Sequence, residues 1–270
     1  MACKVGFIGA GNMGGALIRS IVNRDKEGQY PVGAYDVNIS LLSGLAAEYG
    51  ITAKTNVNDL VDESDIIILA VKPQYSESVL KEIKQAITPN KVLVSIIVGL
   101  PISYYKDILG PEVKVVRTMP NTPAMVGEGM TLISFDELIS PDEKQRVIEL
   151  LNFSGIVEEL EERLMNEVTA LTGSSPAYVF LFIEAMADAA VQSGIPRKLA
   201  YRLASQAVLG SAKMVMETGK HPAELKDMVC SPAGTTIEAV AALEREGFRN
   251  AVITAMGECT KKAREIGRKR

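Results

Sequence analysis

Two alternating sequence patterns dominate roughly the first 160 residues. Short runs rich in Val and Ile, bounded by Gly, Pro or Asn, predict β-strands, and the amphipathic stretches between them predict α-helices. Strict alternation of the two is typical of a doubly wound α/β domain with a largely parallel sheet. Strands are predicted at residues 4–8, 32–37, 65–71, 91–97, 113–118, 130–135 and 155–159. Helices are predicted at residues 12–24, 40–49, 76–87, 102–109 and 141–152.

The strand pattern stops near residue 161, and successive helical patterns follow. Pro176, Pro196 and Pro222 each stand at the start of a predicted helix, where the missing amide proton costs no hydrogen bond. We therefore expect a sheet domain over residues 1–161 and an all-helical domain over residues 162–270. The helices are predicted at residues 164–171, 176–193, 196–218, 222–229, 236–246 and 248–266.

One helix of the second domain is unusually apolar. Residues 177–191 are apolar around nearly the whole helix, interrupted mainly by Glu184 and Asp188. Such a helix is normally buried on every side, and a domain of about 110 residues is small for surrounding it alone. The pattern therefore predicts a second subunit that covers this helix.

Composition and charge exclude several functions. The chain has 270 residues, 47% of them hydrophobic and 23% charged, which is typical of a globular protein. The net charge of −4 provides no general basic field, so we expect no nucleic-acid partner. The longest apolar runs, such as 92–102 and 177–183, are shorter than the ~18 to 20 residues that span a bilayer, so we expect no membrane crossing.

Metal-ligating and disulfide-forming residues are scarce. The chain holds three cysteines, without a C-x-x-C pair, and a single histidine, His221. We expect reduced thiols, a cytoplasmic protein and no metal site. One histidine at a helix start favours a structural role for His221 over a Ser-His-Asp arrangement or a lone general base.

A glycine-rich turn joins the first predicted strand to the first predicted helix. Gly9, Gly11 and Gly14 have G-x-G-x-x-G spacing, and Asp36 stands at the end of the second strand, 22 positions beyond Gly14. In this order of elements, the pattern is the fingerprint of a Rossmann-type dinucleotide-binding domain, although a purely structural turn remains an alternative. The expected cofactor contacts of this turn are Ile8, Gly9, Gly11, Asn12, Met13 and Gly14.

Asp36 bears on the choice of dinucleotide. A carboxylate at this position can accept hydrogen bonds from ribose hydroxyls and would repel a 2′-phosphate. No Arg or Lys lies between Val37 and Ala53 to offset that charge. Asp36 therefore favours NADH over NADPH, unless it is only a solvated residue at a strand end.

Two further loops fall at the carboxyl ends of predicted strands, where open α/β sheets bind ligands. Each contains proline, and turns of this kind are also common without any function. We expect cofactor contacts there from Ala70, Val71, Lys72, Pro73 and Asn121.

A loop at residues 231–236 runs straight into a predicted helix. Exposed amides at the positive end of the helix, with the hydroxyls of Ser231 and Thr236, would form a pocket for a small carboxylate. Residues 173–176 repeat the arrangement at the start of the apolar helix. The alternative is an ordinary helix start, because Thr235 and Glu238 have the spacing of a capping box.

The segment at residues 222–244 resembles the signature of pyrroline-5-carboxylate reductases. Residues 8–13, 70–73, 121–123 and 173–178 also fall where that family carries its motifs, so the resemblance covers nearly the whole chain. The residues that fit the signature are Pro222, Leu225, Val229, Cys230, Ser231, Gly234, Thr236, Ala239, Val240, Leu243 and Glu244.

The resemblance implies the last step of proline synthesis, in which 1-pyrroline-5-carboxylate is reduced to L-proline with NADPH or NADH. It implies a catalytic Thr236 that hydrogen-bonds the ring nitrogen, and a loop at residues 173–176 near the nicotinamide. It further implies a homodimer of interleaved helical domains, often assembled into a decamer. The implied substrate contacts are Ser231, Gly234, Thr235, Thr236 and Ser175, and the implied cofactor contacts include Asn56, Lys72 and Pro73.

Two rival functions remain distinguishable. β-Hydroxyacid dehydrogenases carry a lysine in G-x-x-x-K-x-x-x-N after the sheet domain, and residues 166–174 hold no lysine. Reduction of an imine needs no such proton donor and acceptor for a hydroxyl group. A non-catalytic nucleotide sensor is the second rival, and consumption of NADH with pyrroline-5-carboxylate would exclude it.

Overall fold

The first part of the chain forms a single sheet in the computed structural model, which describes residues 2–268. The strands are β1 (Val5–Ile8), β2 (Val32–Tyr35), β3 (Thr52–Ala53), β4 (Ile66–Leu69), β5 (Val92–Ser95), β6 (Lys114–Met119), β7 (Gly129–Phe135) and β8 (Gly155–Glu159). Their order is β3-β2-β1-β4-β5-β6-β7-β8. The strands from β3 to β6 are parallel, whereas β7 is antiparallel to β6 and β8 is parallel to β7.

Helices cover both faces of this sheet. They are α1 (Asn12–Arg24), α2 (Ile39–Tyr49), α3 (Val57–Glu63), α4 (Ser76–Ile83), α5 (Ile102–Leu109) and α6 (Pro141–Asn152). Successive residues of β4 face opposite sides, so Ile66 and Ile68 belong to one apolar cluster and Ile67 and Leu69 to the other. This two-sided burial explains why the strands are apolar at nearly every position, and it confirms the doubly wound domain.

The strand order changes direction at β1. The chain proceeds from β1 to β2 and β3 on one side, and then returns to β4 on the other side of β1. In open α/β sheets, such a switch point leaves a crevice at the carboxyl ends of the strands, where ligands bind. The glycine turn follows β1 at this point.

The rest of the chain is helical, as the sequence predicts. The helices are α7 (Ser175–Gln192), α8 (Arg197–Thr218), α9 (Pro222–Val229), α10 (Thr235–Arg245) and α11 (Phe248–Arg268). One compact unit contains the residues through Gly173 and those from Thr260 onward, and Ser174–Cys259 forms the other. The domain boundary between residues 161 and 162 stays a prediction.

The prediction of an α-helix at residues 164–171 is wrong. The chain forms a 3-10 turn at Glu162–Leu164 and a π-helical turn at Thr169–Gly173. The Thr169 hydroxyl bonds both the Met165 carbonyl, at 3.1 Å, and the Met119 sulfur of β6, at 3.5 Å. These contacts hold the segment against the sheet, and π-turns of this kind are frequent at functional sites.

The sequence patterns also miss β3 and α3. With two residues, β3 is too short to show a period, and it lies on the exposed edge of the sheet. The start of α3 does carry a recognisable signal, because Asn56 is its cap: Oδ1 accepts hydrogen bonds from the amides of Asn58, at 2.7 Å, and Asp59, at 3.4 Å.

Helix α7 is largely uncovered within one chain. Of its residues, all in the described part of the chain, Ala187 alone is buried, while Phe180 and Leu181 are 59% and 67% exposed. The stretch Thr169–Gln192 has 24 residues, and an 18-residue window within it has a mean hydropathy of 1.2. By length and composition it is therefore long and apolar enough to cross a membrane, contrary to the expectation from the shorter apolar runs.

Replacement of Ile68 by Ala should destabilise the sheet unit strongly. Ile68 is fully buried in β4, so the substitution leaves a cavity, and the free energy of unfolding should fall by about 2 to 5 kcal/mol in a urea titration. Ile39→Ala is the control, because Ile39 is 73% exposed. Equal losses for the two variants would contradict the described packing.

Candidate active site

The glycine turn after β1 is held by close backbone contacts. Gly9 has a φ of +99°, and a Cβ atom there would lie 2.6 Å from the Ala70 carbonyl oxygen. A Cβ atom on Gly14 would overlap the Gly9 carbonyl oxygen. Gly11 differs, because nothing lies within 4 Å of the position of its Cβ. The turn is therefore packed against the protein at Gly9 and Gly14 and faces open space at Gly11.

The amides in the first turn of α1 have no side-chain hydrogen-bond partner at the N-cap. Gly11 is its N-cap and provides no side-chain hydrogen bond, and the first turn contains no acidic residue. The amides of a first helical turn have no partner within the helix, and together with the helix dipole they attract anions. Open space at Gly11 and bare amides at the start of α1 fit the pyrophosphate of a dinucleotide.

Asp36 braces this turn. Its Oδ2 atom accepts a hydrogen bond from the Ala10 amide at 2.7 Å, and its Oδ1 atom accepts one from the Asn38 amide at 2.8 Å. The Gly9 amide also donates to the Tyr35 carbonyl at 2.8 Å. Asp36 therefore ties the end of β2 to the glycine turn, a role that the sequence interpretation does not include.

A groove lies beside Asp36 at the ends of β2 and β3. Its volume is about 340 Å³, and apolar side chains of α2 form much of its wall. An apolar wall next to a carboxylate suits an adenosine, which combines a flat base with ribose hydroxyls. The residues that line the groove are Tyr35, Asp36, Val37, Ile39, Leu42, Ser43, Ala53, Lys54 and Thr55.

The two proline-containing loops follow β4 and β6. Lys72 is exposed and precedes a 3-10 turn at Pro73–Tyr75. Asn121 is buried, and its side chain braces the fold: Nδ2 donates to the Thr172 carbonyl at 3.0 Å, and Oδ1 accepts from the Met130 amide at 2.9 Å. Its predicted contact with the cofactor stays a prediction.

A buried arginine supports the end of β6. The Arg117 guanidinium donates to Glu162 Oε1 at 3.2 Å and to Asn166 Oδ1 at 3.1 Å. Glu162 Oε1 also accepts a hydrogen bond from the Ile102 amide at 2.7 Å. The sequence interpretation misses this network, although an arginine that directly follows two valines within a predicted strand is a signal that could have found it.

In the helical unit, the loop at residues 231–236 forms a tight and strained turn. The Gly234 amide donates to the Ser231 carbonyl at 3.0 Å, with Pro232 and Ala233 at the central positions. Ala233 has a φ of +55°, a conformation that favours glycine and costs about 1 to 3 kcal/mol in other residues. Such strain is often found at ligand sites.

Helix α10 resembles α1 in its N-cap but differs in having an acidic residue, Glu238, in its first turn. Its N-cap is Gly234, without a side-chain hydrogen bond, and Thr235 is the first helical residue. The capping box of Thr235 and Glu238 is therefore not formed, and the interpretation of an ordinary capped start is wrong. The half-buried Thr236 lies in the first turn of α10, where amides without a side-chain partner attract an anion.

A hydroxyl and thiol cluster lies at the start of α7. The Cys259 thiol donates to the Ser174 hydroxyl at 3.2 Å. Burial and a hydrogen bond with Cys259 raise the pKa of Tyr178. Sequence interpretation misses both Cys259 and Tyr178, while the predicted contact Ser175 is half-buried as the first residue of α7.

His221 has a structural position. It is the N-cap of α9, where Nδ1 accepts a hydrogen bond from the Ala223 amide at 3.1 Å. Among the described residues, no group of three or more His, Cys, Asp or Glu side chains is placed to hold a metal ion.

The sheet, its open glycine turn and the helices that follow define an oxidoreductase with a dinucleotide-binding domain. Residues 4–99 match the family model of the NADP oxidoreductases that are coenzyme F420-dependent, and residues 162–266 match the model of pyrroline-5-carboxylate reductase dimerisation.

The curated relatives identify the family. The chain is 44% identical to the pyrroline-5-carboxylate reductase of Escherichia coli (strain K12), over 99% of this chain and 100% of the relative. It is 45% identical to the enzyme of the same name from Methanosarcina acetivorans, over 98% of each. The chain belongs to the pyrroline-5-carboxylate reductase family.

Solved structures agree. The pyrroline carboxylate reductase of Plasmodium falciparum, with NADP bound, matches with a TM-score of 0.87 and 34% identity, over 98% of each chain. A pyrroline-5-carboxylate reductase from Coxiella burnetii matches with a TM-score of 0.91 and 30% identity, over 98% of this chain and 99% of the other. The predicted family, fold class and enzyme class are confirmed.

Replacement of Gly11 by Ala should weaken cofactor binding without preventing folding. The new methyl group meets nothing within 4 Å in the protein, but it occupies the space in front of the bare amides of α1. We expect the Kd for NADH, measured by calorimetry, to rise at least about tenfold, while the protein stays folded and loses only the small stability that an alanine N-cap costs. Gly44→Ala, which also meets nothing within 4 Å, is the control. An unchanged Kd for Gly11→Ala would exclude the turn as the pyrophosphate site.

Proposed function

We propose that this chain reduces the C=N bond of 1-pyrroline-5-carboxylate to give L-proline, the final step of proline biosynthesis, with NADPH or NADH as reductant. Its similarity to enzymes named pyrroline-5-carboxylate reductase over nearly its full length carries this proposal. Residues 222–244, which resemble the family signature, are part of this similarity.

The cofactor lies along the carboxyl ends of the central strands. When bound, NAD(P)H supplies the hydride. The glycine turn holds the pyrophosphate, Asp36 and Asn56 flank the adenosine, and Asn121 lies on the nicotinamide side. A relative with NADP bound supports use of NADPH, and Asp36 favours NADH. The other proposed contacts are Ile8, Gly9, Gly11, Asn12, Met13, Gly14, Ala70, Val71, Lys72 and Pro73.

The substrate carboxylate binds at the start of α10. The bare amides of the first turn and the Ser231 hydroxyl bind the carboxylate, and Gly234 allows its close approach. Thr235 and Ser175 complete the contacts with the ring. The Thr236 hydroxyl orients the ring nitrogen, and as a neutral alcohol it is not the strong acid of the reaction.

The chemistry matches a site with few titratable groups. A protonated C=N bond already carries the positive charge that accepts a hydride at carbon, so the enzyme acts mainly through positioning and electrostatics. No strong base needs to remove a proton from the substrate. The single histidine, which caps α9, is consistent with this requirement.

The direct test is the loss of NADH absorbance in the presence of pyrroline-5-carboxylate, with NADPH measured in parallel. We expect turnover that depends on both substrates. Binding of NADH without turnover would favour a nucleotide sensor instead, and the ratio of the two rates measures the cofactor preference that Asp36 predicts.

Replacement of Thr236 by Ala should reduce kcat/KM roughly tenfold to a thousandfold, on the order of 1.4 to 4 kcal/mol, because the contact with the ring nitrogen is lost. Folding and assembly should remain normal. Thr236→Ser keeps the hydroxyl group and should retain most of the activity in the same assay. An unchanged rate for Thr236→Ala would remove Thr236 from the mechanism.

The helical domain, taken as residues 162–270, forms a homodimer that can assemble further into a decamer. The uncovered faces of α7 support a second copy of the chain as their partner, as does the match to a dimerisation model. A second copy of the chain would bury the apolar stretch Thr169–Gln192, so its apolar character does not require a membrane. We propose a cytoplasmic enzyme without a nucleic-acid or membrane partner.

Replacement of Phe180 by Glu should shift the protein from dimer to monomer. Phe180 is largely exposed in the single chain, and a charge in an apolar interface cannot be solvated there. Light scattering after size exclusion should give at least twice the chain mass of 29.1 kDa for the wild type, and that mass itself for the variant. A monomeric wild type would contradict the proposed dimer.

A further inference from the structure

The adenosine groove contains a lysine that bears on the choice of cofactor. Lys54 follows β3 directly, and its amide donates to the Ala34 carbonyl of β2 at 2.9 Å. It lines the same groove as Asp36. Residues 37–53 contain no Arg or Lys, but the next residue is Lys54, and the fold brings its positive charge to the groove.

An ion pair holds the Lys54 side chain. Its Nζ atom lies 2.6 Å from Glu63 Oε1 at the end of α3. The Lys54 side chain is 20% exposed, whereas that of Glu63 is 56% exposed, so the pair reaches from the groove wall outward. The hydrogen bond from Lys54 and its positive charge lower the pKa of Glu63.

We propose that Lys54 enables this groove to accept the 2′-phosphate of NADPH in spite of Asp36, and that Glu63 limits this effect by competing for the same ammonium group. The inference rests on the proposed function, because it assumes that the groove binds the adenosine of the cofactor. It gives the preference for NADH or NADPH a second determinant, at the end of the neighbouring strand β3.

The charges of the groove support this assignment. Asp36 cannot turn away from a phosphate, because both of its oxygen atoms accept hydrogen bonds from backbone amides. A nearby cation is therefore needed to offset its repulsion. Lysine has a flexible stem and three donors, so Lys54 can exchange Glu63 for a phosphate. A partly exposed ion pair is weak, so this exchange costs little.

The test compares ligands that lack the nicotinamide. Calorimetry with ADP-ribose and with its 2′-phosphate separates the effect of the phosphate from all other contacts. For Lys54→Met, we expect the Kd of the 2′-phosphate to rise about tenfold or more, with that of ADP-ribose within about twofold. Glu63→Gln keeps the lysine and should tighten binding of the 2′-phosphate about threefold.

The control is a second lysine ion pair in the same unit. Lys81 and Glu77 of α4 also lie 2.6 Å apart, and neither lines the groove. Lys81→Met should leave both Kd values unchanged. If Lys54→Met weakens both ligands equally or neither of them, or if Glu63→Gln has no effect, the inference is overturned. A wild type that binds neither ligand would contradict the proposed function itself, and the inference with it.

Discussion

The close backbone approach at the glycine turn is the constraint on which the site depends. Gly9 abuts the Ala70 carbonyl at the end of β4, and Gly14 abuts Gly9, so any side chain at either position would force the strands and α1 apart. Asp36 also ties the end of β2 to this turn, because it accepts a hydrogen bond from the Ala10 amide. Three strand ends thus hold α1 with its amino end at the crevice, where its amides can bind a phosphate.

The same electrostatic device occurs at the start of α10. Both α1 and α10 have glycine N-caps and no side-chain partner for their first amides. One suits the pyrophosphate of the cofactor and the other the carboxylate of the substrate. A reaction in which the acceptor already carries its proton requires alignment of two bound molecules more than it requires acids and bases. The starts of α1 and α10 provide such anchoring sites.

Sequence reasoning succeeds where burial dictates the pattern. Strands that are buried on both faces must be apolar at nearly every position, and the turn after β1 needs glycine at fixed positions. Both requirements are visible in the sequence, so they predict the doubly wound domain. It fails where tertiary contacts override local preference: residues 164–171 look helical, but Thr169 binds Met119 of β6, and the segment forms a π-turn instead. The short edge strand β3 leaves no period to detect.

The functional details that sequence reasoning misses come from pairings across the fold. The spacing of Thr235 and Glu238 predicts a capping box, but α10 begins at Thr235, one residue too early for Thr235 to act as its cap. Asp36 is placed correctly by its distance from Gly14, yet its bond to the Ala10 amide depends on how β2 meets the glycine turn. Lys54 becomes relevant only because β3 pairs with β2.

A crystal structure with NADPH and L-proline bound would test the central claim most directly, namely that two bare helix starts bind the anionic groups of both ligands. The account predicts the pyrophosphate within hydrogen-bond distance of the amides that open α1, and the proline carboxylate on those that open α10. Either anion bound elsewhere, with these amides facing only water, would contradict it.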